Sequence, residues 1–284
     1  MGMDIAATLL IPLTLFTVML ALGLGLPSDA LAQWRRHWRL LLRAEAATCL
    51  LVPLIGFGLL STPPAQALSM EARHAIALMA ACPSAPLLLR KAGKSGGDHA
   101  LAGLLQVGAA LAAIVTVPLL ANLGEWVFGV EGWDVLPRQV AMQVSTVQLL
   151  PLVLGLLLRR GFPATVDRLR PPLDQLANAL VILLVVAVLV RTAPLLLEFG
   201  AANLAALPAM ALLVLISLLL GYAMAGEGRE RRITTALVTS MRNPGLALLL
   251  ASSYAPEHPS IKLGVLLYVL ITVGVSAPLL RRLG

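Results

Sequence analysis

Few side chains in this chain can do chemistry, and most of them lie inside long apolar runs. Arg242 is the foremost. It stands in Arg242-Asn243-Pro244-Gly245-Leu246-Ala247-Leu248-Leu249-Leu250, two residues after Ser240. A guanidinium deep in a membrane span costs roughly 2.5–3.5 kcal/mol on insertion scales, so it must face a cavity or a partner. Its planar donor fork suits a carboxylate or a phosphate. The acidic candidate to meet it is Glu45, one turn before Thr48, so the two share a helical face at i, i+3. Glu45 lies about 9 Å from the inner end of its run, within an arginine's reach of midspan. So paired, Glu45 would be a proton carrier tuned by Arg242. The other reading is that it snorkels to the inner interface beside Arg43.

The remaining deep polar groups are Gln106, Gln143, Gln148, Asn178 and Asn243. Asn243 and Gln106 join the candidate site, while Gln143 and Gln148 read as interhelical hydrogen bonds. Freed backbone and half-helix N-termini around Ser84 and Pro244 can cradle an anion. The sequence offers no intramembrane catalytic pair: neither two aspartates at depth, nor His-Glu-x-x-His, nor Gly-x-Ser-x-Gly with a histidine. An enzyme is therefore not expected, and no cofactor is implied. His37, His74, His99 and His258 lack ligand-spaced neighbours, and Cys49 and Cys82 sit in apolar runs without a CxxC partner. Neither a metal site nor a disulfide is expected.

The elements that position these groups follow from composition. Of 284 residues, 59% are hydrophobic and 12% charged, with a mean hydropathy of +0.90. Soluble domains carry about a quarter charged residues, and a fold this apolar cannot hide its surface from water. Continuous apolar runs of about 20 residues argue against a transmembrane barrel, whose strands alternate. The expected fold is an all-α polytopic membrane protein embedded in a lipid bilayer. Apolar runs at 5–26, 40–61, 75–90, 100–121, 139–158, 173–190, 204–223, 233–251 and 261–280 predict nine spans. The first is read as a retained span, since it lacks a basic n-region and is too long for an h-region.

Charge fixes the orientation. The net charge of +7 reads as loop asymmetry, not nucleic-acid binding. Sixteen of the 21 basic residues fall in alternate loops and the C-terminus, from Arg35, Arg36, Arg39 and Arg43 to Arg281 and Arg282. The opposite side holds Arg73, Arg138, Arg191 and Lys262. The positive-inside rule then places the N-terminus outside and the C-terminus in the cytoplasm, in a plasma or inner membrane. The 122–138 loop, with Trp126 and Trp133, reads as an outer interfacial anchor, and Trp34 and Trp38 as its inner counterpart.

Two runs carry matching interruptions. Cys82-Pro83-Ser84-Ala85-Pro86 breaks the third and Asn243-Pro244-Gly245 the eighth. Pro83 and Pro244 are 161 residues apart, and Pro118 and Pro278 are 160 apart. A near-constant offset across an odd number of passes predicts an inverted repeat, with units at about 5–121 and 173–280 and the 139–158 run as connector, all within one domain of residues 1–284. Broken spans at matching positions of two inverted halves point to a transporter's substrate site. A proline in hydrocarbon frees backbone groups that only protein or a cavity can satisfy.

These residues resemble the bile acid:sodium symporter family. The likeness rests on Pro12-Leu13-Thr14-Leu15-Phe16 with Met19 and Gly23-Leu24-Gly25-Leu26, on Cys82-Pro83, on Pro151 with Gly155, and on Asn243-Pro244-Gly245-Leu246-Ala247-Leu248. It implies a panel domain, a core domain and two discontinuous helices crossing at the substrate site. It also implies transport of small organic anions, usually with sodium; the arsenite-permease branch shares the fold. The departures sit at the sodium ligands. Where family members continue Cys-Pro with Gly-Gly-Thr-x-Ser-Asn, this chain places Leu88 and Leu89. Where they carry Glu-x-Gly-x-Gln-Asn, it has Val238, Ser240, Arg242 and Asn243. Thr48 stands for a glutamine, and Ala102 and Gln106 for a serine and a threonine. Sodium needs several oxygen ligands. The resemblance with these departures implies an organic-anion transporter without the usual two sodium sites, open to proton coupling, in which Arg242 substitutes for a cation. A sodium-dependent symporter with rearranged ligands, an arsenite-permease-like transporter and a non-transporting sensor are the alternatives.

Overall fold

The structure is a computed structural model. It describes residues 2–27, 30–85, 96–128 and 137–283, and within these no side chains for 2–9, 30–31, 33, 125–128, 137 and 280–283. Among the described residues there are helices and no strands. In chain order they are α1 (Gly2–Gly25), α2 (Ala30–Arg36), α3 (Trp38–Leu60), α4 (Pro63–Gln66), α5 (Met70–Ala81), α6 (His99–Phe128), α7 (Arg138–Gly161), α8 (Pro163–Ala202), α9 (Ala206–Met224), α10 (Arg229–Ser240), α11 (Pro244–Tyr254) and α12 (Ser260–Leu283).

Six of them, α3, α6, α7, α8, α9 and α12, are long and apolar enough to cross a membrane. The expectation was nine spans, and the difference has a local cause. The third run stops at Ala81, where Cys82 turns extended (ψ 106), and its continuation from Pro86 lies outside the described residues. The eighth divides into α10 and α11 of 12 and 11 residues, each too short to span alone. The first is represented by the shorter apolar stretch Leu10–Gly25. Two expected loops are helical instead: residues 122–128 continue α6, and Arg191 lies within the 40-residue α8, which Pro194 does not end. Trp133 and the Trp126 side chain lie outside the described residues.

Two helices carry a widened turn, Ala47–Leu51 in α3 and Val144–Leu149 in α7. Both precede a proline: Val52 N–H reaches back five residues to Ala47 O just before Pro53, and Leu150 N–H to Ser145 O just before Pro151. A proline ring crowds the carbonyl four residues back, and one π-type turn relieves that crowding without ending the helix.

Two groups of helices pack closely, and they are joined by α6 and by the end of α8 against α12. The first is α1 against α7 and α8. Here α1 and α7 meet backbone to backbone: a Cβ on Gly23 would lie 2.2 Å from Leu152 O, and one on Gly155 2.6 Å from Leu20 O. In the second group α5 packs on α3 and α12, and α9 on α10 and α12. Gly221 serves α9 as Gly155 serves α7, since a Cβ there would lie 2.5 Å from Thr235 O of α10. The largest core runs through this second group, with Ile76, Met79, Met210, Leu213 and Tyr268 fully buried. By contrast α8 presents Ile182, Val186, Val190 and Leu197 outward. An apolar ridge of that length is suited to hydrocarbon and not to water.

Candidate functional site

The site forms where the two interrupted segments meet. Past α5 and α10 the chain runs extended for a few residues, and the two stretches join by backbone hydrogen bonds: Ala85 N–H to Met241 O (3.0 Å) and Asn243 N–H to Cys82 O (3.3 Å). Pro244 then opens α11 at its first position, where a missing N–H is harmless. Asn243 caps that helix, its Oδ1 accepting from Leu246 N–H at 3.2 Å.

Arg242 lies in this junction at 2% exposure. Its Nε donates to Met79 O (2.9 Å), Nη1 to Thr48 O (2.8 Å) and Thr239 O (3.4 Å), and Nη2 to Ala80 O. The sequence explains why these carbonyls are free. Met79 O would accept from residue 83, which is Pro83. Thr48 O, in the widened turn, would accept from residue 53, which is Pro53. Met79, Ala80 and Thr239 belong to the last turns of α5 and α10, whose carbonyls lack intrahelical donors. Two helix C-termini thus converge on one side chain, each bearing about half a negative charge. The guanidinium supplies both the missing donors and the compensating charge, as a bound cation would. An arginine buried without such partners would be strongly unfavourable.

The other candidates surround this centre. Thr48 Oγ1 and Thr239 Oγ1 lie 3.1 Å apart, tying α3 to α10. Ser84 Oγ donates to Gln106 Oε1 (2.9 Å) and Gln106 Nε2 to Ser84 O (3.4 Å), which clasps the first break to α6. Ser240 is buried, its hydroxyl bonded to Leu237 O at 3.3 Å. Pro83 lies in the first break; Pro86 lies outside the described residues. Gly245, in the first turn of α11, faces Leu15 of α1.

Glu45 behaves otherwise. The anticipated pair with Arg242 does not form, because backbone carbonyls take the guanidinium's donors. Glu45 turns instead toward α6, where its Oε1 lies against Gly108 with no side-chain partner and its Oε2 accepts from Cys49 Sγ at 3.5 Å. The interhelical bonds expected of Gln143 and Gln148 are also not made by their Oε1 atoms, and Asn178 lies on the exposed face of α8. The sequence reading passed over Thr239 and the backbone of Met79 and Ala80. The signal for them was the proline placement, four residues after Met79 and five after Thr48. Cys49 and Cys82 are buried free thiols, and among the described residues no group of three or more His, Cys, Asp or Glu can hold a metal.

Long apolar helices, two of the chain's segments broken side by side, and a buried charge at their junction define a polytopic membrane protein of the transporter class. The chain belongs to the SBF-like CPA transporter family (DUF4137), whose sequence profile matches residues 2–284. No curated protein matches it.

Proposed function

We propose that the protein is a secondary transporter for a small organic anion, with Arg242 doing permanently what a sodium ion does in the family it resembles. The observation that carries this reading is the guanidinium on four carbonyls at the paired helix breaks. Its donors are committed to holding the crossing together, so its charge acts on a substrate as a fixed positive field. The half-helix N-terminus at Asn243 and Pro244 adds a second positive end. Nine spans, an N-terminus outside and a cytoplasmic C-terminus in the inner membrane complete the reading. In it the third and eighth spans are the discontinuous pair of an inverted repeat within a single domain. The equal 12-residue lengths of α5 and α10, each ending in an extended cap, support that repeat.

Coupling then falls to Glu45. A carboxyl packed against backbone, with only a thiol as side-chain partner, is a candidate proton carrier separate from Arg242. The test is uptake of labelled carboxylates by proteoliposomes under imposed sodium or proton gradients. Uptake that ignores sodium and responds to a proton gradient, or to the substrate's own gradient alone, supports the proposal. Strong stimulation by sodium would overturn the coupling and favour a sodium symporter with rearranged ligands.

A further inference from the structure

From Ala30 to Arg43 the chain carries Arg35, Arg36, Arg39 and Arg43 and no acidic residue. The fold leaves all four arginines exposed. At the turn from α7 into α8, by contrast, Arg159 pairs with Asp167 and Arg170 with Asp174. Among the described residues the arginines of α2 and α3 have no such partner. Trp38 and Leu42 are exposed beside them, while Leu40, Leu41 and Ala44 are buried on the inward face of α3. Residues four apart share a helical face, so Trp38 and Leu42 form one row and Arg39 and Arg43 the next. The second row meets another guanidinium. Arg43 Nε donates to Arg39 O (3.3 Å), and its Nη2 lies 3.7 Å from where a Cβ on Gly226 would stand. Arg232, in the first turn of α10, donates from Nε to Gly226 O (2.8 Å) and stacks 5.2 Å from the Tyr222 ring centre. Both guanidiniums thus flank one glycine of the α9–α10 connection with their Nη groups unspent. Glu227 and Glu230 are near in sequence, yet among the described residues neither pairs with Arg43 or Arg232. Like charges gathered at one spot repel, and an anion between them reverses the sign of the interaction.

We propose that this surface binds an acidic phospholipid: its phosphodiester bridges Arg43 and Arg232, and its glycerol backbone and acyl chains lie along Trp38 and Leu42. Planar donor forks fit phosphate oxygens in two-point contacts. A tryptophan beside an aliphatic side chain matches the boundary where headgroup gives way to hydrocarbon. An arginine cluster next to a membrane span is attracted by anionic lipid. The net charge of the lipid decides between candidates. A zwitterionic headgroup brings its own cation to a cluster already short of anions, whereas an acidic one leaves the phosphodiester's charge for the arginines. Free phosphate has the charge without the apolar part, so it leaves Trp38 and Leu42 uncovered. No residue of the Arg242 junction takes part, so lipid binding and transport can succeed or fail separately.

The experiment measures lipid retained by the purified full-length protein in native mass spectrometry. The probes are phosphatidylglycerol, phosphatidylcholine and inorganic phosphate. Phosphatidylglycerol should bind about fivefold or more tighter than phosphatidylcholine, and added salt should narrow that gap. The double variant Arg43→Gln with Arg232→Gln should weaken phosphatidylglycerol by about tenfold while leaving phosphatidylcholine nearly unchanged. Arg160→Gln removes an exposed charge at the end of α7 and should alter neither lipid. Equal binding of the two lipids by the unaltered protein would overturn the proposal without any variant, so a double variant that fails to fold does not shield it. A loss in Arg160→Gln as large as in the double variant would also overturn it, since the attraction would then be diffuse. So would displacement of phosphatidylglycerol by inorganic phosphate, which would make this a site for the free ion.

Discussion

Arg242 is held by main-chain oxygens, so its replacements should grade by donor number and geometry. Arg242→Lys keeps the charge but offers a compact ammonium that cannot span Thr48, Met79, Ala80 and Thr239 together. Arg242→Gln loses the charge as well and leaves carbonyls of two helix ends without donors. The predicted order of stability is Arg, then Lys, then Gln, with the Gln variant down by about 3 kcal/mol or more. Melting curves of the purified variants check this; a Gln variant as stable as the parent would contradict it. Glu45→Gln makes a different prediction, because the carboxyl holds no ion pair with Arg242. It should fold normally yet lose any response of uptake to a proton gradient, whereas a misfolded variant would give the carboxyl a structural role.

At the scale of elements, prolines and glycines decide the site. Pro53 withholds the N–H that Thr48 O would accept from, and Arg242 supplies it instead. Restoring that N–H with Pro53→Ala should make Arg242→Gln less costly, so the double variant should fall short of the summed effects by about 0.5–3 kcal/mol. Strict additivity would mean that Pro53 does not prepare this carbonyl. The α1–α7 contact allows no side chain at Gly155, so Gly155→Leu should destabilise by several kcal/mol or abolish assembly, as measured by the yield of folded protein. These same elements show what a sequence reveals. The breaks at Pro83 and Pro244 and the buried position of Arg242 beside them were legible, because prolines and a charge inside apolar runs stand out. The partners of Arg242 were not, because a sequence displays side chains while these acceptors are backbone. A search for an acidic side chain therefore led to Glu45, which the fold turns toward Gly108 and Cys49. The span count met the same limit: hydropathy joins residues 233–251 into one run, and hydrogen bonding divides them at 241–243.

For the whole molecule, the basic residues predict a topology with Ser253 outside and Arg160 inside. Both are exposed, at the ends of α11 and α7 respectively, and both native cysteines are buried. In intact cells a membrane-impermeant maleimide should label Ser253→Cys and spare Arg160→Cys; the reverse pattern, or labelling of both, would refute the orientation. The two packing groups meet the transport reading at this scale, because a cavity lined by Leu15 of α1, Met142 of α7 and Leu248 of α11 lies between the first group and α11, which packs on α5 and α12 of the second. A ligand there touches both groups and can favour one arrangement over another.

The central claim is that a guanidinium permanently fills the cation's role at the crossing. The most direct measurement is the melting temperature of the purified protein in sodium chloride against choline chloride at matched ionic strength. A ligand that prefers the folded state raises that temperature in proportion to the logarithm of its saturation. The predicted result is one melting temperature in both salts across the titration. A saturable rise specific to sodium would show that the site still takes the ion, and would contradict the account.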